Sequence, residues 1–158
     1  MAVKFMTAKE AAQMIPDGAT LGTNGFGGAA FPEEVAQEIE NRFLETGKPN
    51  DLTLFFCAAQ GNNQTKGLQH FAHEGLVRRT IGGHYGLANK IGKMVSQNQL
   101  EAYNFPQGVM TGLLRQTAAH QPGVLTSVGL GTFADPRLEG GKMNDRTKKA
   151  EDLVRLIQ

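Results

Sequence analysis

At 158 residues, with 40% hydrophobic composition and a formal charge of +1, the chain has the size and apolar content of one domain with a buried core. The near-neutral balance, with no block of like charges, argues against nucleic acid or an anionic membrane surface as the main partner and favours a small molecule. No apolar run approaches the ~20 residues of a membrane span, the N-terminus lacks a signal-peptide apolar core, and a lone Cys57 cannot form an intramolecular disulfide, so a cytoplasmic protein is expected.

Thr7-Ala8-Lys9-Glu10 has capping-box spacing, and Ala11, Met14 and Ile15 follow at helical intervals until Pro16-Asp17-Gly18 stops the pattern, which predicts a short first helix. Ala19 to Thr23 reads as the first strand. It runs into the glycine loop Asn24-Gly25-Phe26-Gly27-Gly28-Ala29-Ala30, after which a helix starts at Pro32, carries Val35, Ile39 and Phe43 on one stripe and stops at Gly47. Leu52 to Phe56 is apolar on both faces, as expected of a strand inside a parallel sheet. Cys57, at its end, reads as a buried inert thiol.

Gly61 to Thr65 is a polar loop, a short amphipathic segment with Leu68 and Phe71 follows, and Leu76 to Ile81 supplies a third strand ending at Gly82-Gly83-His84. Leu87, Ile91, Met94 and Val95 recur at helical period, and Leu100 to Phe105 reads as a fourth strand. Pro106 can open the next helix, with Val109, Leu113, Leu114 and Ala118 facing inward and a stop near His120-Gln121-Pro122-Gly123. Val124 to Val128 is expected to be a fifth strand leading to Gly129-Leu130-Gly131. Asp145 to Gln158 is a charged segment finishing on Leu153, Val154, Leu156 and Ile157, apolar side chains that need a partner surface and suggest a piece of a longer polypeptide; a native, exposed terminal helix is the other reading.

Strand–helix alternation predicts an α/β fold: an open, mostly parallel sheet with helices on both faces, Rossmann-like. Sites in such sheets lie outside the carboxyl ends of the strands, so the glycine-bearing loops after each strand should share one cleft. Glycine lets backbone come close to a ligand and the following helix N-terminus offers unpaired N–H groups to an anion, although the same residues also make a tight strand-to-helix turn. Gly25-x-Gly27-x-x-Ala30 fits the permissive dinucleotide fingerprint, but no acidic residue follows the next strand, since Glu45 belongs to the preceding helix. A nicotinamide cofactor is therefore not expected.

On these residues the chain resembles the N-terminal part of a family I coenzyme A transferase, most closely the single-chain acetate/propionate (short-chain acyl) type. Asp17-Gly18, Gly25-Phe26 and Pro32 fall at the spacing of the family signature, with departures at Gly22, Thr23, Asn24 and Ala30. Ala102-Tyr103-Asn104-Phe105-Pro106-Gln107-Gly108, Ala119-His120-Gln121-Pro122-Gly123 and Gly129-Leu130-Gly131-Thr132-Phe133-Ala134-Asp135-Pro136-Arg137 are similar to the single-chain subgroup.

The resemblance implies transfer of CoA from an acyl-CoA thioester to a free short-chain carboxylate through acyl-anhydride and glutamyl-CoA intermediates. The attacking glutamate of that family lies in a C-terminal lobe beyond Gln158, so no carboxylate here inherits it, and this chain alone is expected to be inactive. Glu101 reads instead as a strand-flanking surface carboxylate. The resemblance further implies no metal and no cofactor besides the CoA thioester as substrate, a homo-oligomer, and a missing C-terminal lobe as partner.

Gly25, Phe26, Gly27, Gly28, Gly129 and Gly131 are expected to line the acyl pocket and its approach, with Gln107 and Gly108 in the active-site wall. A neutral amide at Gln107 can hold a carboxylate or thioester oxygen without quenching a nucleophile; a helix-start glutamine bonded to backbone is the competing reading. His84 and His120 lack companions at metal or triad spacing and read as satisfied structural histidines. A sugar-phosphate isomerase or deaminase would need acid–base residues and phosphate-binding cations that these loops do not supply. A CoA- or acyl-binding module without activity remains an alternative.

Overall fold

Every strand pairs only with its neighbours in the sequence: the computed structural model, which describes residues 3–157, has one parallel sheet in the order β1 (Thr20–Thr23), β2 (Leu52–Phe56), β3 (Val77–Gly82), β4 (Glu101–Asn104). Right-handed crossovers in a sheet wound in one direction carry the connecting helices to one face. That face holds α1 (Ala8–Gln13), α2 (Glu33–Thr46), the 3₁₀ turn Gly67–Phe71 and α3 (Asn89–Ser96), whose Ala12, Ile39, Phe71 and Ile91 share one apolar core with Leu54, Phe56 and Ala102 of the strands. Leu52, Leu54 and Phe56 of β2 are buried on the helix side and Thr53 and partly buried Phe55 face the other way, which explains why the strand reads as apolar on both faces apart from Thr53.

Local chemistry sets the helix ends. Thr7 Oγ1 accepts from the Glu10 N–H at 3.2 Å while the Glu10 carboxylate accepts from the Thr7 N–H at 2.7 Å, so the capping box of α1 is closed. Arg42 of α2 donates to the carbonyls of Ala12 and Ile15, both at 2.8 Å, satisfying the end of α1. Gly47 takes the left-handed conformation (φ 70°) that ends α2.

The fifth strand expected at Val124 to Val128 does not form. Gly141 to Met143 already occupy the outer edge of β4: Asn104 N–H donates to the Gly141 carbonyl at 2.8 Å, and Met143 N–H to that of Ala102 at 2.9 Å. Thr147 of α5 (Asp145–Lys148) then accepts the Ala102 N–H at 2.7 Å. With that edge closed the sheet cannot be continued past β4, and Leu125 is left 83% exposed. The inward face of α4 (Gln107–Ala118) also differs from expectation: Met110 is buried, while Leu114 and Ala118 are exposed.

The sheet face opposite the helix layer is covered over β3 and β4 by the tail. Tyr103 donates its hydroxyl to the Glu151 carbonyl at 2.7 Å, and Arg79 is held between Glu101 (2.5 Å) and Glu151. Glu101 is thus a half-buried ion-pair partner and not a surface carboxylate. Over β1 the same face is open, with Thr20 and Gly22 exposed. Only the short α5 is helical in the last segment, and Leu153, Leu156 and Ile157 are exposed.

Between α2 and the 3₁₀ turn, His70 faces Glu40 at 2.5 Å and Glu33 at 2.9 Å, and His73 faces Glu40 at 2.6 Å. Burial raises the Glu40 carboxyl, but the hydrogen bonds from His70 and His73 outweigh it and hold the group below its ordinary value. A carboxyl lowered in the folded state contributes stability that is fully present above its unfolded value and lost as pH falls through the folded one. Glu40→Gln is expected to cost about 1–3 kcal/mol at pH 7 and to flatten the acid limb of a urea-denaturation series. A variant that keeps the wild-type slope below pH 5 would remove Glu40 from that linkage.

Candidate active-site edge

The carboxyl ends of all four strands open onto one edge, where the loops are bonded to one another. After β1, Phe26 and Ala29 exchange both backbone hydrogen bonds at 3.1 Å, closing a two-residue hairpin with Gly27 and Gly28 at its tip. Gly27 has φ 57°, as the first tip residue of a type II′ turn requires. Gly25 (φ 120°) is needed for space as well, because a Cβ there would lie 2.5 Å from the Ala29 carbonyl oxygen. Gly28 is different: its φ lies outside the left-handed region and a Cβ would meet nothing within 4 Å. Phe26 stands 66% exposed at the base of the hairpin.

The loop after β2 ties this hairpin down. Gly27 N–H donates to the Ala59 carbonyl at 3.4 Å and Gly61 N–H to that of Gly27 at 2.7 Å, extending the β1–β2 pairing past the strand ends. Gln60, buried between them, bonds Thr23 and Gly25 through its carboxamide. Cys57 is half-buried instead of fully buried, and partial burial pushes its thiol up, away from the thiolate a nucleophile needs.

After β3, Gly83 N–H donates to the Phe56 carbonyl at 3.0 Å, and a Cβ on Gly83 would run into the Cys57 carbonyl and lie 2.7 Å from Gln107 Cγ. Glycine there lets the start of α4 close on the β2 loop. Asn104 donates to the Gly82 carbonyl at 2.8 Å, holding the turn into Pro106. Gln107 is exposed, its stem against Gly83, and its carboxamide has no hydrogen-bond partner among the described residues. The competing picture of a helix-start amide bonded to backbone is therefore not what the structure shows. Gly108 beside it is exposed, with nothing within 4 Å of a Cβ.

Gly129 and Gly131 follow no strand, yet a Cβ on Gly129 would lie 3.9 Å from Pro106, which puts this turn at the α4 end of the same edge. Asp135 holds it. Its buried carboxylate accepts from Gly131 N–H at 2.7 Å and from Arg137 Nε and a terminal guanidinium nitrogen at 3.0 and 2.6 Å. Those bonds, the Arg137 side chain foremost, keep the carboxyl well below the usual carboxylate range.

His84 and His120 are exposed with no side-chain hydrogen bond among the described residues, so neither is the satisfied histidine expected. Among the described residues no group of three His, Cys, Asp or Glu is placed to hold a metal ion, and no helix is long and apolar enough to cross a membrane. Two surface depressions, one beside Asn98, Asp145 and Arg146 and one beside Pro136, Leu138 and Val154, lie away from the strand-end edge, on which Phe26, Gly28, Gln107 and Gly108 are exposed. Gln60 and Asp135 are the residues that sequence reasoning missed. A lone loop glutamine carries no spacing signal; Asp135, in Asp135-Pro136-Arg137, does carry a local one.

Residues 5–155 match the family model described as coenzyme A transferase. The chain belongs to the coenzyme A transferase family. It is 48% identical to caffeate CoA-transferase of Acetobacterium woodii and 40% identical to acetate CoA-transferase YdiF of Escherichia coli K12, over 98% and 99% of this chain and 29% of each relative. This CoA-transferase chain thus spans about three-tenths of the length of those curated relatives. The crystal structure of the acyl-CoA transferase YdiF apoenzyme from Escherichia coli O157:H7 superposes with a TM-score of 0.92 at 39% identity, covering 97% of this chain and 30% of that one. A second structure of that protein, a thioester complex with CoA, matches equally well, with a TM-score of 0.92.

Proposed function

We propose that this chain is the N-terminal lobe of an acyl-CoA:carboxylate CoA-transferase acting on short-chain acyl groups such as acetate and propionate. A second lobe carries the attacking glutamate and closes the site, and the assembly is a cytoplasmic homo-oligomer. The observation that carries the reading is the unbonded Gln107 carboxamide beside Gly108, on the wall where the β1, β2 and β3 loops meet. Attack of a carboxylate on a thioester carbonyl develops negative charge on the carbonyl oxygen, and a neutral N–H donor stabilises that oxygen without pairing with the nucleophile. Gly28 and Gly108 supply approach without side-chain bulk.

Gln107→Leu in the full-length enzyme is expected to lower kcat and kcat/KM together, on the order of 10²-fold, if the amide acts mainly in the transition state. A rise in KM alone would indicate uniform binding, and unchanged kinetics would take Gln107 out of the site. The 48% identity to a caffeate CoA-transferase supports a second reading, an aromatic acid as acceptor, for which exposed Phe26 and the open side of Gly28 leave room. An acceptor panel of acetate, propionate and a hydroxycinnamate, scored by kcat/KM, separates the two. CoA binding with no transfer to any acceptor would leave a binding module.

A further inference from the structure

We propose that Gln60 is a positioning residue of the transfer site: its buried carboxamide fixes how the Gly25–Gly28 hairpin leaves β1, and through it the backbone presented to the acyl group. The inference rests on the transferase reading above and adds to it a buried residue bonded to the root of the hairpin.

Gln60 is 1% exposed, and every bond of its carboxamide goes to the root of the glycine loop. Oε1 accepts from Thr23 Oγ1 at 2.8 Å, and Nε2 donates to the Thr23 carbonyl at 3.4 Å and the Gly25 carbonyl at 3.3 Å. The orientation is dictated by its partners, since a flipped amide would set its carbonyl oxygen against two backbone carbonyls. Both N–H groups are thereby used on carbonyls of the residues where β1 ends and the hairpin begins.

The residue itself cannot drift. Its own carbonyl accepts from Leu68 N–H at 3.0 Å, and Gly61 and Gly67 pack so closely on either side that a Cβ on either would collide with backbone of the other strand of the turn. The flanking bonds Gly27 N–H to Ala59 and Gly61 N–H to Gly27 hold the hairpin at its tip; Gln60 holds it at its root. Two anchors define a direction where one would leave a pivot. The hairpin carries no large buried side chain of its own, since Phe26 is exposed, so this bonding and not apolar packing sets its place. A leucine of similar length would orphan the two carbonyls and the Thr23 hydroxyl, while a glutamate would put negative charge against both carbonyls.

The test uses the full-length enzyme carrying Gln60→Leu, and separately Thr23→Val, which removes only the hydroxyl that orients the amide. Acetyl-CoA and propionate serve as the donor and acceptor. The expected result is a roughly 10–100-fold fall in kcat for Gln60→Leu, a smaller fall for Thr23→Val, and little change in KM for acetyl-CoA. Hydrogen exchange read by mass spectrometry should accelerate in residues 24–31 while β2 to β4 stay protected. Wild-type kcat together with wild-type exchange in residues 24–31 overturns the proposal. So does exchange accelerated equally across β2 to β4, which would make Gln60 a general structural residue. If Gln60→Leu does not fold, Thr23→Val decides on the same two readouts. Absence of transfer by the wild-type enzyme would sink the transferase reading itself, whereas the exchange result still judges the anchoring.

Discussion

Purified alone, this 158-residue chain is expected to transfer no CoA between acetyl-CoA and a short carboxylate. Family resemblance puts the attacking glutamate outside these residues, and the acids Glu33 and Asp135 beside the edge, like Glu101 at the amino end of β4, are already committed. Glu33 accepts from Gly67 N–H at 2.9 Å and faces His70, Glu101 is paired with Arg79, and Asp135 is saturated by Arg137 and Gly131 N–H. Geometry reinforces the point, because Phe26, Gly28, Gln107 and Gly108 are exposed and a thioester laid against them would face water. That loses both the covalent route and the preorganised, water-excluding surroundings on which electrostatic stabilisation depends. Leu153, Leu156 and Ile157, exposed in the tail, should instead promote self-association, visible as a concentration-dependent mass in sedimentation. A coupled assay on mass-verified chain, with full-length protein as positive control, is the measurement. Turnover surviving removal of contaminating host transferase would mean that a nucleophile lies within these residues.

What the sequence revealed was what local chemistry determines. The α1 capping box depends on side chains three positions apart, β2 on a short run of four large apolar residues in five, and α2 on a stripe ended by Gly47, so each was readable within its own few residues. The helix start at Gln107 was legible because a proline that can start a helix follows a strand, whereas its place in a site came from the family resemblance. The fifth strand failed for the opposite reason. Val124 to Val128 has strand-like composition, but continuing the sheet past β4 needs that strand's outer edge, and Gly141 to Met143 take it from later in the chain. The inward face of α4 was misread because α4 does not lie across the sheet as the crossover helices do, and only Met110 is buried. Gln60 and the His70 cluster were invisible because their partners lie some thirty or more positions away in the chain, at Thr23 and Gly25 for Gln60 and at Glu33 and Glu40 for His70. Residues that bond across elements to hold a loop leave no period to read.

Gly28→Val and Gly25→Val, compared in the full-length enzyme, are expected to separate function from fold within the same hairpin. At Gly28 the backbone is not left-handed and a Cβ meets nothing within 4 Å, so valine should fit with a stability change within about 1 kcal/mol. The added branches would fill space at the exposed hairpin tip, where substrate is proposed to approach backbone. Transfer should therefore fall on the order of 10²-fold in kcat/KM while circular dichroism and thermal midpoint stay near wild type. At Gly25 the backbone has φ 120° and a Cβ would lie 2.5 Å from the Ala29 carbonyl oxygen. Valine there must break the closing bonds between Phe26 and Ala29 or shift the backbone that Gln60 holds, and it should lower both thermal midpoint and activity. Wild-type kcat/KM in Gly28→Val would reduce the loop to a strand-to-helix turn. Unfolding in Gly28→Val to the same degree as in Gly25→Val would assign Gly28 a structural role that open space at its Cβ does not account for.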